Sequence, residues 1–377
     1  MKKRILESIR QGLIGGGETH LLSLVENIDK SCFEPVVLSF TDGPMVERAK
    51  QMGLETKVIH TEKPFDIFTW GKVREFIKES KIDILHAHVT RAASNTLRPA
   101  RSLNLPFIYT VHGWSFHDDQ SPFVRRFRMW GEQWITSHSD VNISVSVANQ
   151  QTGKHYFRGF DSVVIPNGID QRKFNPDRSF KDIRKEIGIP GDGILVLFMA
   201  RFTNHKQPLK VISGFYEASQ RAPLLRLLMV GEGDAKQEAL ALVRRLGIGD
   251  KVFFQDFRID TPDVLAASDI FVLASLWEGL AFSLLEAMSM GKPVVASRVD
   301  GNTEVVKHME NGWLVGLEGL EKNLAEAFVT LSQDQGLREK FQENAKATIN
   351  TRYNAVTMTR KTEDIYHKLA RGNKNIS

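Results

Sequence analysis

The chain predicts two doubly wound α/β domains in succession. Three observations carry this expectation. Apolar, β-branched runs recur from end to end, amphipathic helical stretches separate them, and a polar segment rich in Pro, Asn and Gly divides the runs into two sets. At 377 residues the chain is also longer than one hydrophobic core usually covers.

The first set of runs is PVVLSF, DILHAH, FIYTVHG, VNISVS and VVIPNG; the second is GILVLFMAR, LRLLMVGEG, KVFFQDF, DIFVLAS and KPVVAS. Continuous rather than alternating hydrophobicity marks strands buried on both faces, as in a parallel sheet. Helical spacing at 70–80, 206–221, 234–246 and 279–290 supplies the crossovers of βαβ units. The dividing segment, VIPNGIDQRKFNPDR, lies near residues 166–180. It sets the expected domains at 1–175 and 176–350. Beyond Asn323 the chain reads as helices, with 351–377 a final helix and a polar tail, RGNKNIS, expected to fray. Ligands of such sheets bind beyond the carboxyl ends of the strands, so the cleft between two facing domains is the expected site.

Composition narrows the class. Hydrophobic content of 42% and charged content of 25% are ordinary for a globular protein. Cys32 is the only cysteine, which excludes an intrachain disulfide. The start, MKKRILESIRQGLIGGGE, lacks an apolar stretch of signal-peptide length, and no window approaches the ~20 apolar residues of a membrane span. A cytoplasmic location is expected, with any membrane contact peripheral. The net charge of +5 points to an anionic partner such as a nucleotide. Neither zinc-finger spacing nor an RNA-binding aromatic signature occurs, so nucleic acid is not expected.

Five stretches bear chemistry. In SLWEGLAFSLLEAMSMGKPVV, Glu278 and Glu286 interrupt an apolar run, and a carboxylate there is costly unless something pairs with it. The pattern places Glu278 in a strand-to-helix loop and Glu286 about two turns into the helix. Eight residues of helix span ~12 Å, close to a sugar–diphosphate–ribose unit. Between the glutamates, the N–H groups of Leu280, Ala281, Phe282 and Ser283 at a helix start form an anion site. The alternative is that Glu278 is an exposed helix-start residue and Glu286 an exposed helix residue; the apolar flanks of Glu286 argue against it for Glu286.

In MARFTNHKQP, Arg201 ends a buried strand and Lys206 opens the next helical stretch. Two cations across such a loop can clamp one diphosphate; a solvated basic loop is the other reading. In GLIGGGETHLL, Gly15, Gly16 and Gly17 between strand and helix permit close approach of a phosphate or backbone, or merely form a turn. No dinucleotide fingerprint or Walker-type lysine is present. In FIYTVHGWSFHDD, His112 ends a strand in the cleft-facing position, though a lone histidine is more often structural than catalytic. His86 and His88 stand at strand spacing without a carboxylate set, and read as polar cleft or core residues rather than metal ligands. Last, 121–134 interleaves Arg125, Arg126 and Arg128 with Phe123, Phe127, Trp130 and Trp134. Such a helix suits an anionic membrane surface, or a cleft wall with snorkelling arginines.

Together these stretches resemble glycosyltransferase family 4, whose members have the two-domain GT-B fold. EGLAFSLLEAMSMGKPVVAS resembles the family's paired-glutamate signature, ARFTNHKQ its Arg…Lys diphosphate motif, and GGGE its N-terminal glycine loop. VIPNGID, VGEGD, SDIFVLAS and NGWLV follow in the family's order, from about residue 4 to 365. The resemblance implies transfer of a hexose-type sugar from a nucleotide-sugar, UDP favoured over GDP, to a hydroxyl of a glycan or lipid-linked acceptor. It implies retention of configuration and no metal or cofactor.

By the same resemblance, Arg201 and Lys206 bind the diphosphate and stabilise the leaving group, Glu286 the ribose, and Glu278 the transferred sugar. His112 lies near that sugar. Gly279 to Ser283 and Gly231 border the donor, and Gly16 and Gly17 approach phosphate and acceptor. The final helix is implied to cross back to the N-terminal domain. Gln207 departs from the family where glycine often follows the lysine, Ala281 where Gly or Pro is usual, and Asp300 where a glycine pair is common. The alternatives are a sugar-nucleotide epimerase on the same fold and a non-catalytic nucleotide-sugar-binding protein.

Overall fold

Among the described residues, thirteen strands form two parallel sheets. In the first sheet β1 (Lys3–Ile9), β2 (Phe33–Ser39), β3 (Glu55–Val58), β4 (Ile84–His88), β5 (Phe107–Val111), β6 (Val141–Ser144) and β7 (Val163–Val164) lie in the order β3-β2-β1-β4-β5-β6-β7. The second has β8 (Ile194–Met199), β9 (Leu225–Val230), β10 (Val252–Gln255), β11 (Ile270–Leu273), β12 (Val294–Ser297) and β13 (Trp313–Val315), in the order β10-β9-β8-β11-β12-β13. The pairings are parallel throughout. These strands belong to a computed structural model that describes residues 2–12, 15–117 and 120–372.

Two compact units result. One runs to Gly168 and takes up the chain again from Ala355; the other is Ile169–Asn354. The helix Ala355–Ala370 therefore belongs to the first unit. Its Met358, Ile365, Tyr366 and Leu369 are buried in one apolar cluster with Ile5, Leu24, Ile84 and Ile108. Each such side chain contributes roughly 1.5–3 kcal/mol by leaving water. In the second unit, Val196, Phe198, Phe215, Leu227, Val272 and Phe328 fill the space between the sheet and its helices.

Each sheet reverses its winding between its first strand and its fourth: at β1 and β4 in one unit, at β8 and β11 in the other. Crossovers on either side of that point leave on opposite faces, so the loops diverge and open a crevice. All but two of the strands contain a run read from hydrophobicity or precede the glycine loop. The exceptions, β3 and β13, are edge strands. β3 alternates exposed and half-buried residues, and β13 has only three, so neither carries the continuous apolar signal.

Candidate active site

In the second unit the two loops at the reversal point meet. The loop after β8 carries Arg201, then a short 3₁₀ turn, Asn204–Lys206, before the helix Pro208–Arg221. The loop after β11 carries Trp277 and Glu278. Three contacts join them: Leu276 N–H donates to the His205 carbonyl at 2.9 Å, His205 Nε2 lies 2.5 Å from the Trp277 carbonyl, and Lys206 Nζ donates to Glu278 Oε1 at 2.5 Å. The His205 and Trp277 rings stack with centroids 4.2 Å apart.

Electrostatics follow from that closure. Burial alone would raise the Glu278 carboxyl, whose side chain is 9% exposed, but the charge and hydrogen bond of Lys206 outweigh it and hold it below its usual value. Glu278 is thus an anion poised beside a cation. Glu286 has the opposite setting. It is the fifth residue of the helix Phe282–Ser289 and is buried among Leu284, Leu285, Ala287 and Met288. Burial pushes its carboxyl up to about 7, against a weaker pull from Lys173. The exposed-residue alternative for Glu286 does not hold.

The helix start differs from the expected one. It begins at Phe282 with Ala281 in an extended N-cap conformation, so Gly279 and Leu280 lie in the preceding loop and only Phe282 and Ser283 are helical. Glu286 is consequently little more than one turn into the helix rather than two, and the uniform helical spacing behind the ~12 Å span does not apply. That helix has no acidic residue in its first turn, which leaves the positive end of its dipole uncompensated by its own side chains.

Backbone shape around these loops accounts for several residue choices. Gly231, just past β9, has φ of 138°, and a Cβ there would lie 2.2 Å from the Ala200 carbonyl oxygen. Only glycine lets this turn pack beside the chain that presents Arg201. Gly301 is equally constrained: its Cβ would fall 2.3 Å from the Gly279 carbonyl oxygen, and its N–H donates to the Glu278 carbonyl at 3.2 Å. Gln207 sits at φ 55°, ψ 44°, a left-handed conformation costly for any residue with a Cβ. A glycine preference after the lysine has its physical cause there.

In the first unit, the helix Gly16–Asn27 starts with Gly15 as N-cap and carries a buried Glu18 in its first turn, 3.7 Å from Arg10 Nε. A Cβ on Gly17 would lie 3.7 Å from the His112 ring. His112, one residue beyond β5, is thereby placed at this helix start, and His88 Nδ1 lies 3.0 Å from its Nε2. Glu7, His86 and His88 form a buried group nearby. Two sets of groups, His20 with His88 and His112, and Glu7 with His86 and His88, bring potential ligand atoms within 4.8 Å of one another. His86 and His88 do have a carboxylate beside them, Glu7, contrary to the sequence reading. The signal was a charged residue within β1, in the run RILES.

Comparison with known proteins now decides the family. Residues 14–173 match the family model described as Glycosyltransferase Family 4, and residues 179–348 match that of Glycosyl transferases group 1. The chain is a family 4-like glycosyltransferase. The UDP-Gal:alpha-D-GlcNAc-diphosphoundecaprenol alpha-1,3-galactosyltransferase of Escherichia coli is 26% identical over 78% of this chain and 77% of its own length. The N-acetyl-alpha-D-glucosaminyl L-malate synthase of Bacillus anthracis is 26% identical over 83% and 81%. Among solved structures, Anabaena HepE in complex with UDP and glucose superposes with a TM-score of 0.84 at 24% identity, covering 96% of this chain and 99% of that one. The glycosyltransferase has the GT-B fold.

Sequence reasoning missed four residues, two in the second unit and two in the first. His205 and Trp277, 72 positions apart, pin the two loops together, yet neither stands out locally. Glu7 and Tyr366 meet from opposite ends of the chain, with Tyr366 Oη donating to Glu7 Oε1 at 2.6 Å. Among the described residues, no helix is long and apolar enough to cross a membrane.

Proposed function

We propose that this glycosyltransferase moves a hexose from a UDP-sugar to a hydroxyl of a glycan or lipid-linked acceptor, with retention of anomeric configuration. The observation that carries the donor site is the Lys206–Glu278 contact, which gathers cation, anion and a helix start at the reversal point of one sheet. Departure of UDP places negative charge on the diphosphate and positive charge on the anomeric carbon. Arg201, Lys206 and the start of the Phe282–Ser289 helix offset the first; the Glu278 carboxylate stands next to the second. Stabilisation that grows as charge separates lowers the barrier, whereas equal stabilisation of bound donor does not.

Glu286 accepts hydrogen bonds from the ribose hydroxyls in this scheme. No second carboxylate is assigned as nucleophile, so the acceptor attacks on the face the UDP leaves and passes its proton to the departing β-phosphate. UDP is favoured over GDP because HepE, similar in fold, binds UDP and glucose, and because the similar Escherichia coli enzyme is named for UDP-Gal. The latter enzyme's diphosphoundecaprenol substrate supports a lipid-linked acceptor.

A membrane surface suits such an acceptor. The helix Pro122–His138 leaves Phe123, Phe127 and Trp130 exposed, together with Arg126, while Gly131, Glu132 and Ile135 are buried. Ile67 and Phe68 are exposed too, and their neighbour Phe65 packs against Trp130. Trp134 faces inward, under Arg98. Aromatic and cationic groups side by side are what an anionic lipid surface takes up.

Arg201→Ala and Lys206→Ala test the donor site. Each is expected to lower kcat/KM at least ~100-fold in a UDP-sugar turnover assay. Near-wild-type transfer by either variant would sink the assignment. Incubation with UDP-sugars alone excludes the epimerase alternative if no isomerised sugar forms.

A further inference from the structure

At the start of the helix Pro122–His138 the first unit has a cavity of about 420 Å³, lined by Gln120, Pro122, Arg125, Arg126 and Met129. That volume falls within the ~300–1,000 Å³ of small-molecule sites. None of its lining residues belongs to the donor loops of the second unit. Two of the five are arginines. A guanidinium presents paired N–H groups that match phosphate oxygens, and two of them suit a diphosphate.

The surroundings hold one of these cations in place. Arg125 Nη2 donates to Tyr156 Oη at 3.1 Å, and the guanidinium lies 5.4 Å from the centroid of the Tyr156 ring. Tyr156 is packed edge-on against Phe116, with centroids 5.2 Å apart. Arg126, the next residue, is exposed. Arg128 is engaged away from the cavity, where its Nη1 donates to the Ser115 carbonyl at 2.8 Å. The one carboxylate of this helix, Glu132, is buried and accepts from Thr90, Tyr109 and Ser115. The exposed formal charge of the helix is therefore positive.

Helical spacing sets an apolar stripe beside the cavity. At roughly 100° per residue, Pro122, Arg125, Arg126 and Met129 share one side of the helix. Phe123, Phe127 and Trp130, all exposed, share the side about a third of a turn away. The buried Gly131 and Ile135 occupy the third side. From Phe123 to Trp130 the stripe runs about 10 Å, at a rise of about 1.5 Å per residue. A diphosphate by itself has no use for such a stripe, and a flat lipid surface has no use for a cavity with two arginines. A lipid diphosphate uses both.

We propose that this cavity binds the diphosphate of a lipid-diphosphate-linked acceptor, with Arg125 and Arg126 on the phosphate oxygens and the first part of the lipid chain along Phe123, Phe127 and Trp130. Residues 112–121 join the helix to the carboxyl end of β5, and Arg128 ties it back to Ser115 within that connection. The cavity thus stands at the end of the sheet where doubly wound units take their ligands. The proposal rests on the sugar-transfer reading and deepens it, since it names the head group of the acceptor and the residues that grip it.

Calorimetric titration of the full-length protein with farnesyl diphosphate tests it, at pH 7.5 with UDP saturating so that the donor site is filled. Farnesyl diphosphate should bind at least ~10-fold more tightly than farnesol, which lacks the charge, and than inorganic diphosphate, which lacks the chain. Arg126→Gln, at an exposed position, should weaken it about 10–100-fold, the range of one charge-assisted contact. Phe127→Ser should weaken farnesyl diphosphate and leave inorganic diphosphate unchanged. Should either variant lose the fold by circular dichroism, Arg125→Lys serves: it keeps the charge but not the paired N–H groups, and should bind farnesyl diphosphate more weakly. Unchanged affinity in Arg126→Gln overturns the proposal.

Two further arms separate the sources of a similar signal. Dihexanoylphosphatidylglycerol, an anionic lipid without a diphosphate, should bind at least ~10-fold more weakly than farnesyl diphosphate. Equal affinity assigns the face to bulk membrane lipid and overturns the proposal, as does loss of farnesyl diphosphate binding whenever UDP is present. Absence of UDP binding, by contrast, counts against the sugar-transfer reading, and the dependence on Arg126 still decides what the cavity holds.

Discussion

Replacing Glu286 with Gln should stabilise the second unit at alkaline pH while weakening donor binding. The reason lies in where the carboxyl sits. Held at about 7 against 4.5 in the unfolded chain, it binds a proton in the folded state through a window where the unfolded chain has lost it. Stability from this group is therefore greatest below pH 4.5, declines as pH rises, and is fully lost above about 7. At about 1.4 kcal/mol for each pH unit, ionised Glu286 costs the fold about 3 kcal/mol at pH 8. Near pH 5 the same group costs under about 1 kcal/mol. Gln carries no charge at either pH. Urea unfolding of wild type and Glu286→Gln, followed by fluorescence with Trp277 and Trp313 as reporters in that unit, measures the difference. The variant should gain about 2 kcal/mol more at pH 8 than at pH 5. Equal gains at both, or a loss at pH 8, would refute the claim that burial strains this carboxylate. UDP-glucose affinity should meanwhile drop about 10–100-fold, the range of one charge-assisted bond.

Other outcomes follow from the same geometry. Wild-type UDP-glucose affinity should rise between pH 6 and 8, with proton release on binding, because ribose hydroxyls donate to ionised Glu286; calorimetry in buffers of different ionisation heat reads this, and a flat profile contradicts it. Gly231→Ala should cost about 1–3 kcal/mol in urea unfolding and weaken donor binding too, since the added Cβ displaces the Ala200–Arg201 backbone; unchanged stability would show that the turn relaxes freely. His205→Ala should lower kcat/KM by loosening Lys206 from Glu278 while leaving the fold intact by circular dichroism, and an unaltered kcat/KM would remove His205 from the site. Liposomes rich in anionic lipid should float the protein at low salt, and the triple change Phe123→Ser, Phe127→Ser, Trp130→Ser should abolish flotation; failure of the wild type to float denies the membrane contact.

Much of this molecule is legible residue by residue. Central strands such as β8 and β11 are buried on both sides, so their composition alone names them, and their termini locate the loops that bear Arg201 and Glu278. The edge strand β3 escapes because it alternates exposed and half-buried residues and so carries no continuous apolar run. Helix starts are blurred for another reason. Leu280 and Ala281 are apolar and helix-tolerant, and what ends the loop at Ala281 is the close approach of Gly301 to Gly279, from a segment 22 positions onward.

The order of strands, the motifs at their ends and the membership in family 4-like glycosyltransferases are properties of local pattern, and local pattern is written along the chain. Protonation is not. Whether Glu278 is an anion paired with Lys206, Glu286 a strained carboxyl near 7, or Glu7 a carboxylate bonded to Tyr366 depends on groups brought together across 72 residues in one case and 359 in another. Burial and Coulomb interaction act through space, and only the folded chain sets those distances.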